Sequence, residues 1–112
     1  MKIILFILAI LIGIPIFAQQ KQSLLREGTK LYSDSSYSQA EIKYRKALEK
    51  DQDYFKSSFN LADAVYKQER YEEASSLFNA LKDNARSKED LAKVYHNLGN
   101  SLAKENKYEK AI

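Results

Sequence analysis

Two hydrophobic patterns divide the chain. From Ile3 to Ile12 every residue is apolar, Gly13 and Pro15 then interrupt the run, and Ile16, Phe17 and Ala18 lead into Gln19 and Gln20. Beyond residue 18 the apolar positions spread out to steps of three and four: Leu24 and Leu31, then Phe59, Val65 and Tyr66, then Leu91, Val94, Leu98 and Leu102. Such spacing puts the apolar side chains on one face of successive helices. Polar clusters punctuate them at Ser33–Ser36, Gln68–Arg70 and Glu105–Lys107. Ser35, Ser36 and Asn106 are side chains suited to capping a helix start. No alternating β-branched run occurs after residue 18, so the body is expected to be all-α.

The helical body repeats. Tyr37 and Ala40 align with Tyr71 and Ala74 at a spacing of 34 residues, as do Tyr44 with Phe78 and Ala47 with Leu81. Tyr108 and Ala111 continue the series at a spacing of 37, which places about three extra residues in the polar stretch Lys82–Leu91, expected to be an extended loop. Gly28, Ala62 and Gly99 each precede the aligned alanine by 12 positions. Each unit thus predicts two helices, with one small residue on the first and one on the second. Glycine inside a helix costs about 1 kcal/mol relative to alanine. Its use at Gly28 and again at Gly99 predicts close approach of a partner helix, with Tyr37, Tyr71 and Tyr108 covering the small residues from the hairpin turn. The units run over about 21–54, 55–91 with the inserted loop, and 92–112, the last incomplete. Ile112 follows Ala111 directly, whereas a full second helix needs about 12 more residues, by analogy with Ala40 to Asp51. The sequence is therefore expected to be part of a longer array; were Ile112 instead the native end, the last apolar face would be expected to favour aggregation or dimerisation.

The first 18 residues have the build of a secretory signal peptide: a positive start at Lys2, an apolar centre, a helix breaker and a small exit residue. Cleavage is expected after Ala18, leaving a domain of residues 19–112 that is exported to the periplasm or cell envelope. The apolar segment is shorter than the roughly 20 residues that span a bilayer. Membrane association would then come only from an uncleaved leader or a membrane-protein partner. There is no Cys, so neither a lipid-modified exit nor a disulfide is available.

In its 34-residue period and its small and aromatic positions, the chain resembles the tetratricopeptide repeat family. Gly28, Ala40, Tyr44 and Ala47 match in the first unit, Leu61, Ala62, Ala74 and Phe78 in the second, and Tyr95, Leu98, Gly99 and Ala111 in the third. Leu24 and Ser58 stand where the family has an aromatic, Glu27 replaces its first leucine, and no proline closes a repeat. The leader and its Ala-Gln exit are also similar to exported repeat proteins of the Bacteroides aerotolerance (Bat) type. The resemblance implies a solenoid of helix-turn-helix repeats whose first helices line a concave groove for a peptide or protein partner. In the family register the groove side chains are Leu25 and Thr29; Lys56, Phe59, Asn60, Asp63, Tyr66 and Lys67; and Lys93, His96, Asn97, Asn100 and Lys104. Phe59 and Tyr66 are its expected apolar anchors. One subtype of the family grips a C-terminal carboxylate with two Lys, two Asn and one Arg. Of that set this chain keeps only Asn60 and Lys93, so the clamp is not expected.

Other chemistries lack parts. His96 is the only histidine and there is no cysteine, which leaves no nucleophile–base pair and no zinc ligand set. Gly28 and Gly99 stand alone, so there is no phosphate loop, and no cofactor is expected. Without Lys2 the balance is 17 basic against 15 acidic residues, interspersed along the helices, which argues against nucleic acid. Glu41 and Glu49, for example, each lie four residues from Arg45. The expectation is a non-enzymatic adaptor, with a self-assembling repeat module or the docking arm of an enzyme as its rivals.

Overall fold

A computed structural model describes the backbone of residues 16–111 and the side chains of residues 16–107. Within it lie five α-helices: α1 (Ile16–Ser33), α2 (Tyr37–Lys50), α3 (Phe55–Lys67), α4 (Tyr71–Leu81) and α5 (Lys88–Ala111). No strand occurs among the described residues. Each helix packs on the next, and α3 also touches α1 and α5. The first helices of the units therefore form one layer and α2 and α4 the other. Residues 1–15 of the apolar leader lie outside the described residues, and the bond after Ala18 falls within α1.

The core forms where small residues admit large ones. Ala40, Ala47, Ala62, Ala64 and Ala74 are fully buried, and Tyr44 and Phe78 are the largest side chains sealed among the helices. Gly28 shows why. A Cβ placed there would stand 2.6 Å from Cε1 and 2.8 Å from Cδ1 of Tyr44, well inside contact distance. The Tyr44 ring occupies the space a side chain on α1 would need, and this close approach offsets the cost of glycine in a helix. Ser57 closes the next joint, donating to the Tyr44 carbonyl at 2.9 Å.

The two formed hairpin turns are built alike. Ser35 and Glu69 take left-handed φ angles of 61° and 63°. The amides of Ser36 and Arg70 then reach back to the carbonyls of Leu31 and Val65, at 2.9 and 3.3 Å, and those of Ser35 and Glu69 to Tyr32 and Tyr66. This is the Schellman arrangement, which satisfies carbonyls left open at a helix end. Neither serine caps as expected. Ser36 precedes α2 but its side chain makes no cap bond, and Ser35 supplies the left-handed residue. Tyr44, not the expected Tyr37, covers Gly28. Tyr37 and Tyr71 instead pack edge-on against a tyrosine of the preceding helix, Tyr32–Tyr37 at 5.1 Å and Tyr66–Tyr71 at 5.2 Å. The Tyr108 side chain lies outside the described residues.

The third unit departs from the prediction. Residues Glu105–Lys107 form no turn, and α5 continues as one 24-residue helix to Ala111. Asn106 is well suited to a left-handed turn, but Ala103 stands where Tyr32 and Tyr66 stand in the other units. The aromatic pair that clasps the first two hairpins is thus missing, and the helix-favouring Ala, Lys and Glu of this stretch carry the helix on. The expected loop Lys82–Leu91 is also shorter than anticipated. A 3₁₀ turn at Lys82–Asn84 takes up the extra residues, and α5 already begins at Lys88.

Candidate functional site

The facing sides of α3 and α5 gather part of the expected groove. Asp63, Tyr66, Lys67, Phe78, Asn97 and Asn100 surround a cavity of about 190 Å³. Five of these are groove residues expected from the sequence, and Phe78 forms the apolar floor. The Asn97 side-chain amide donates to Asp63 Oδ1 at 2.9 Å, tying the second unit to the third. Burial pushes the Asp63 carboxyl up to about 6, while the Lys67 charge and the Asn97 hydrogen bond pull the other way. The carboxylate is held mostly out of water with a single side-chain donor. Its field also reaches the tyrosines beneath: burial, helped by the Asp63 charge, pushes Tyr32 up to about 12.

The other expected residues lie apart from this cavity. The Phe59 ring is turned into the chain, stacked 6.0 Å from Phe55 and edge-on 5.6 Å from Phe78. It is a packing residue rather than a free anchor. Tyr66 has both roles, lining the cavity while clasping Tyr71. Leu25 is half-buried against the core. The exposed Thr29 donates to the Leu25 carbonyl at 2.8 Å and accepts from the Tyr44 hydroxyl at 3.4 Å. Asn60 is half-buried, and Lys56, Lys93, His96 and Lys104 are exposed.

Sequence reasoning missed the polar joint on the other side of the molecule. Glu41 on α2 is buried, yet it accepts from Arg45 at 2.9 Å, Gln68 at 2.8 Å and Arg70 at 2.7 Å. Glu73 joins the same two arginines, at 3.1 Å from Arg45 and 2.9 Å from Arg70. Burial alone would raise the Glu41 carboxyl; the hydrogen bonds from Arg70, Gln68 and Arg45 outweigh it and lower it to about 2. Only the Glu41–Arg45 pair was visible as an i, i+4 spacing. The rest could have been found by comparing repeat positions, because Ser75 and Glu105 occupy the places of Glu41 and Gln68 in the next unit. Ser75 Oγ donates to Glu105 Oε2 at 3.0 Å.

Among the described residues, no three His, Asp or Glu side chains gather as metal ligands, and no helix is long and apolar enough to cross a membrane. A sequence model described as tetratricopeptide repeat matches residues 31–98, more than half of the chain. No curated protein matches it.

Proposed function

The chain belongs to the tetratricopeptide repeat family, and from that premise we propose that it is an exported adaptor, holding a peptide or protein segment in the groove between α3 and α5. Repeats of this family generally mediate protein–protein interaction and are typically non-catalytic. The observation that carries the reading is the cavity around Asp63, Lys67, Asn97 and Asn100. Its polar groups come from two repeats, so a segment lying across the groove meets both. Asn100 and Lys67 are exposed beside it and offer a donor and acceptor pair and a cation to a backbone or an acidic side chain. Export rests on the build of residues 1–18, and the cell envelope is the proposed location. The narrower likeness to the Bacteroides aerotolerance proteins has the same leader as its support.

Site-specific photocrosslinking in cells tests both parts. A photoreactive residue at Asn100 should capture a foreign protein, whereas one at the exposed Lys46 on α2 should not. Equal capture from both positions would overturn the groove reading. Mass spectrometry of the exported chain should find Gln19 at its N-terminus; an intact Met1 would overturn cleavage.

A further inference from the structure

Each joint between units holds a carboxylate withdrawn from water, and the two are provided for differently. Glu41 is met by Arg45, Gln68 and Arg70, with donors on both of its oxygens. Asp63 has one side-chain donor, Asn97, on Oδ1. Among the described residues no side chain donates to Oδ2, and no lysine or arginine forms an ion pair with either oxygen. Lys67 acts on Asp63 only through space, from an exposed position one helical turn along α3. A carboxylate held out of water costs free energy unless it is paired and hydrogen-bonded. Glu41 shows that this chain can supply such partners, yet at Asp63 it leaves one oxygen unmet. That oxygen is not sealed in the core, since no fully buried side-chain oxygen among the described residues lacks a partner. It is reached from the cavity that Asp63 lines. An under-compensated carboxylate in a cleft is a mark of a binding site.

The rest of the lining narrows what can meet that oxygen. Asn97 turns its amide nitrogen to Asp63, and its side-chain carbonyl remains an acceptor. Asn100 adds a second amide carbonyl, and Tyr66 and Phe78 supply aromatic walls, whose ring faces attract cations. Acceptors therefore dominate the lining, which suits a guest that only donates. An arginine guanidinium is such a guest: planar, permanently charged, without an acceptor, and able to fork a carboxylate and stack on a ring. A lysine ammonium lacks the plane and the fork. A peptide N–H could reach Oδ2 but would leave the charge uncompensated. The cavity of about 190 Å³ admits one long side chain. Lys67, exposed at its edge, is free to turn towards solvent as the guest enters.

We propose that the Asp63 cavity is a subsite for an arginine side chain, presented by the segment that lies in the groove between α3 and α5. This rests on the groove reading and adds the chemistry of the partner: its segment carries an arginine where it crosses from the second unit to the third. Asn97 acts as a positioning residue, holding Oδ1 so that Oδ2 is left for the guest.

Two blocked amino acids serve as probes: N-acetyl-arginine methylamide and its citrulline counterpart, which has the same length and no charge. In heteronuclear NMR spectra of the purified chain, the arginine probe should shift the side-chain amide signals of Asn97 and Asn100 and saturate in the millimolar range, as befits so small a ligand. The citrulline probe should bind at least about tenfold more weakly. This comparison uses the unmodified chain and needs no variant to fold. Asp63→Asn keeps the shape and an acceptor for Asn97 but removes the charge. It should weaken the arginine probe at least about tenfold while its melting temperature at neutral pH is unchanged or raised. Equal binding of the two probes, no binding of the arginine probe, or full binding by Asp63→Asn would each overturn the proposal. In cells, the segment captured by a photoreactive residue at Asn100 should carry an arginine within a few residues of the crosslink. Capture of a foreign segment without one would overturn the subsite and leave the groove reading standing. Binding of the arginine probe at Asp63 with no foreign capture at Asn100 would fault the groove reading and uphold the subsite.

Discussion

Helices α1 and α5 are built to one pattern and meet different fates. Both place a glycine at the same repeat position, between apolar neighbours three and four residues away. In α1 the glycine is a contact, filled by Tyr44; in α5 nothing among the described residues meets it. A sequence motif for close packing therefore states what a helix can accept, while the partner decides whether anything is accepted. The turns repeat the lesson. Tyr32 and Tyr66 clasp Tyr37 and Tyr71 and hold two hairpins closed. Ala103 offers no ring, and the chain passes through the third turn as helix.

The largest test of this contrast removes the rings. Tyr44→Ala should destabilise the fold by about 3–4 kcal/mol, since it opens a cavity over Gly28. Tyr95→Ala, which removes an exposed ring on α5, should change the stability of dilute protein by less than about 0.5 kcal/mol. Urea unfolding of the two variants measures both. If the losses were equal, the difference between α1 and α5 would be false.

Substituting the glycines should give opposite signs. Gly28→Ala sets a methyl 2.6 Å from the buried Tyr44 ring, which must shift, and should cost about 2 kcal/mol. Gly99→Ala meets open space and gains helix propensity, and should stabilise by about 0.5–1 kcal/mol. Thermal unfolding of dilute protein distinguishes them.

The smallest effects come from two carboxylates, one at each joint between units. Glu41, held at about 2 in the folded chain against an ordinary value of 4.5, contributes stability above pH 4.5 that is lost as pH falls towards 2. Asp63, raised from 3.8 to about 6, behaves oppositely: its penalty is present above pH 6 and disappears as pH falls to 3.8. Stability should therefore peak between pH 4 and 5, with each limb worth on the order of 1 kcal/mol after allowance for solvent screening. Asp63→Asn should flatten the limb above the peak and Glu41→Gln the limb below it. Melting temperatures across pH 2–8 provide the check; a profile unchanged by either variant would remove these two joints from the account.

The repeat and its helices were legible because they depend on spacing, and spacing is written in the sequence. Gly28 was legible for the same reason. Gly99 carries the same signal, and among the described residues no side chain answers it. The turn at Asn106 misled because its local chemistry is sound; the missing clasp lies three residues earlier, at Ala103. Of the groove, Asp63, Tyr66, Lys67, Asn97 and Asn100 came together as their positions implied. Phe59 did not, because an aromatic beside two other rings gains more from them than from solvent. The Glu41 joint escaped because its members come from α2, the second turn and α4, and no single helix shows them together.

That joint also fixes the order of the units. In the first joint the carboxylate belongs to the earlier unit, Glu41, and the neutral amide to the later one, Gln68. In the second the sides are exchanged, with neutral Ser75 earlier and the carboxylate, Glu105, later. Excising the middle unit would set Glu41 against Glu105, two carboxylates where each had been given a donor. Repeats that look interchangeable by their alanines and tyrosines are thus keyed to their neighbours, and a gene that lost or duplicated one of them would have to change the lock as well.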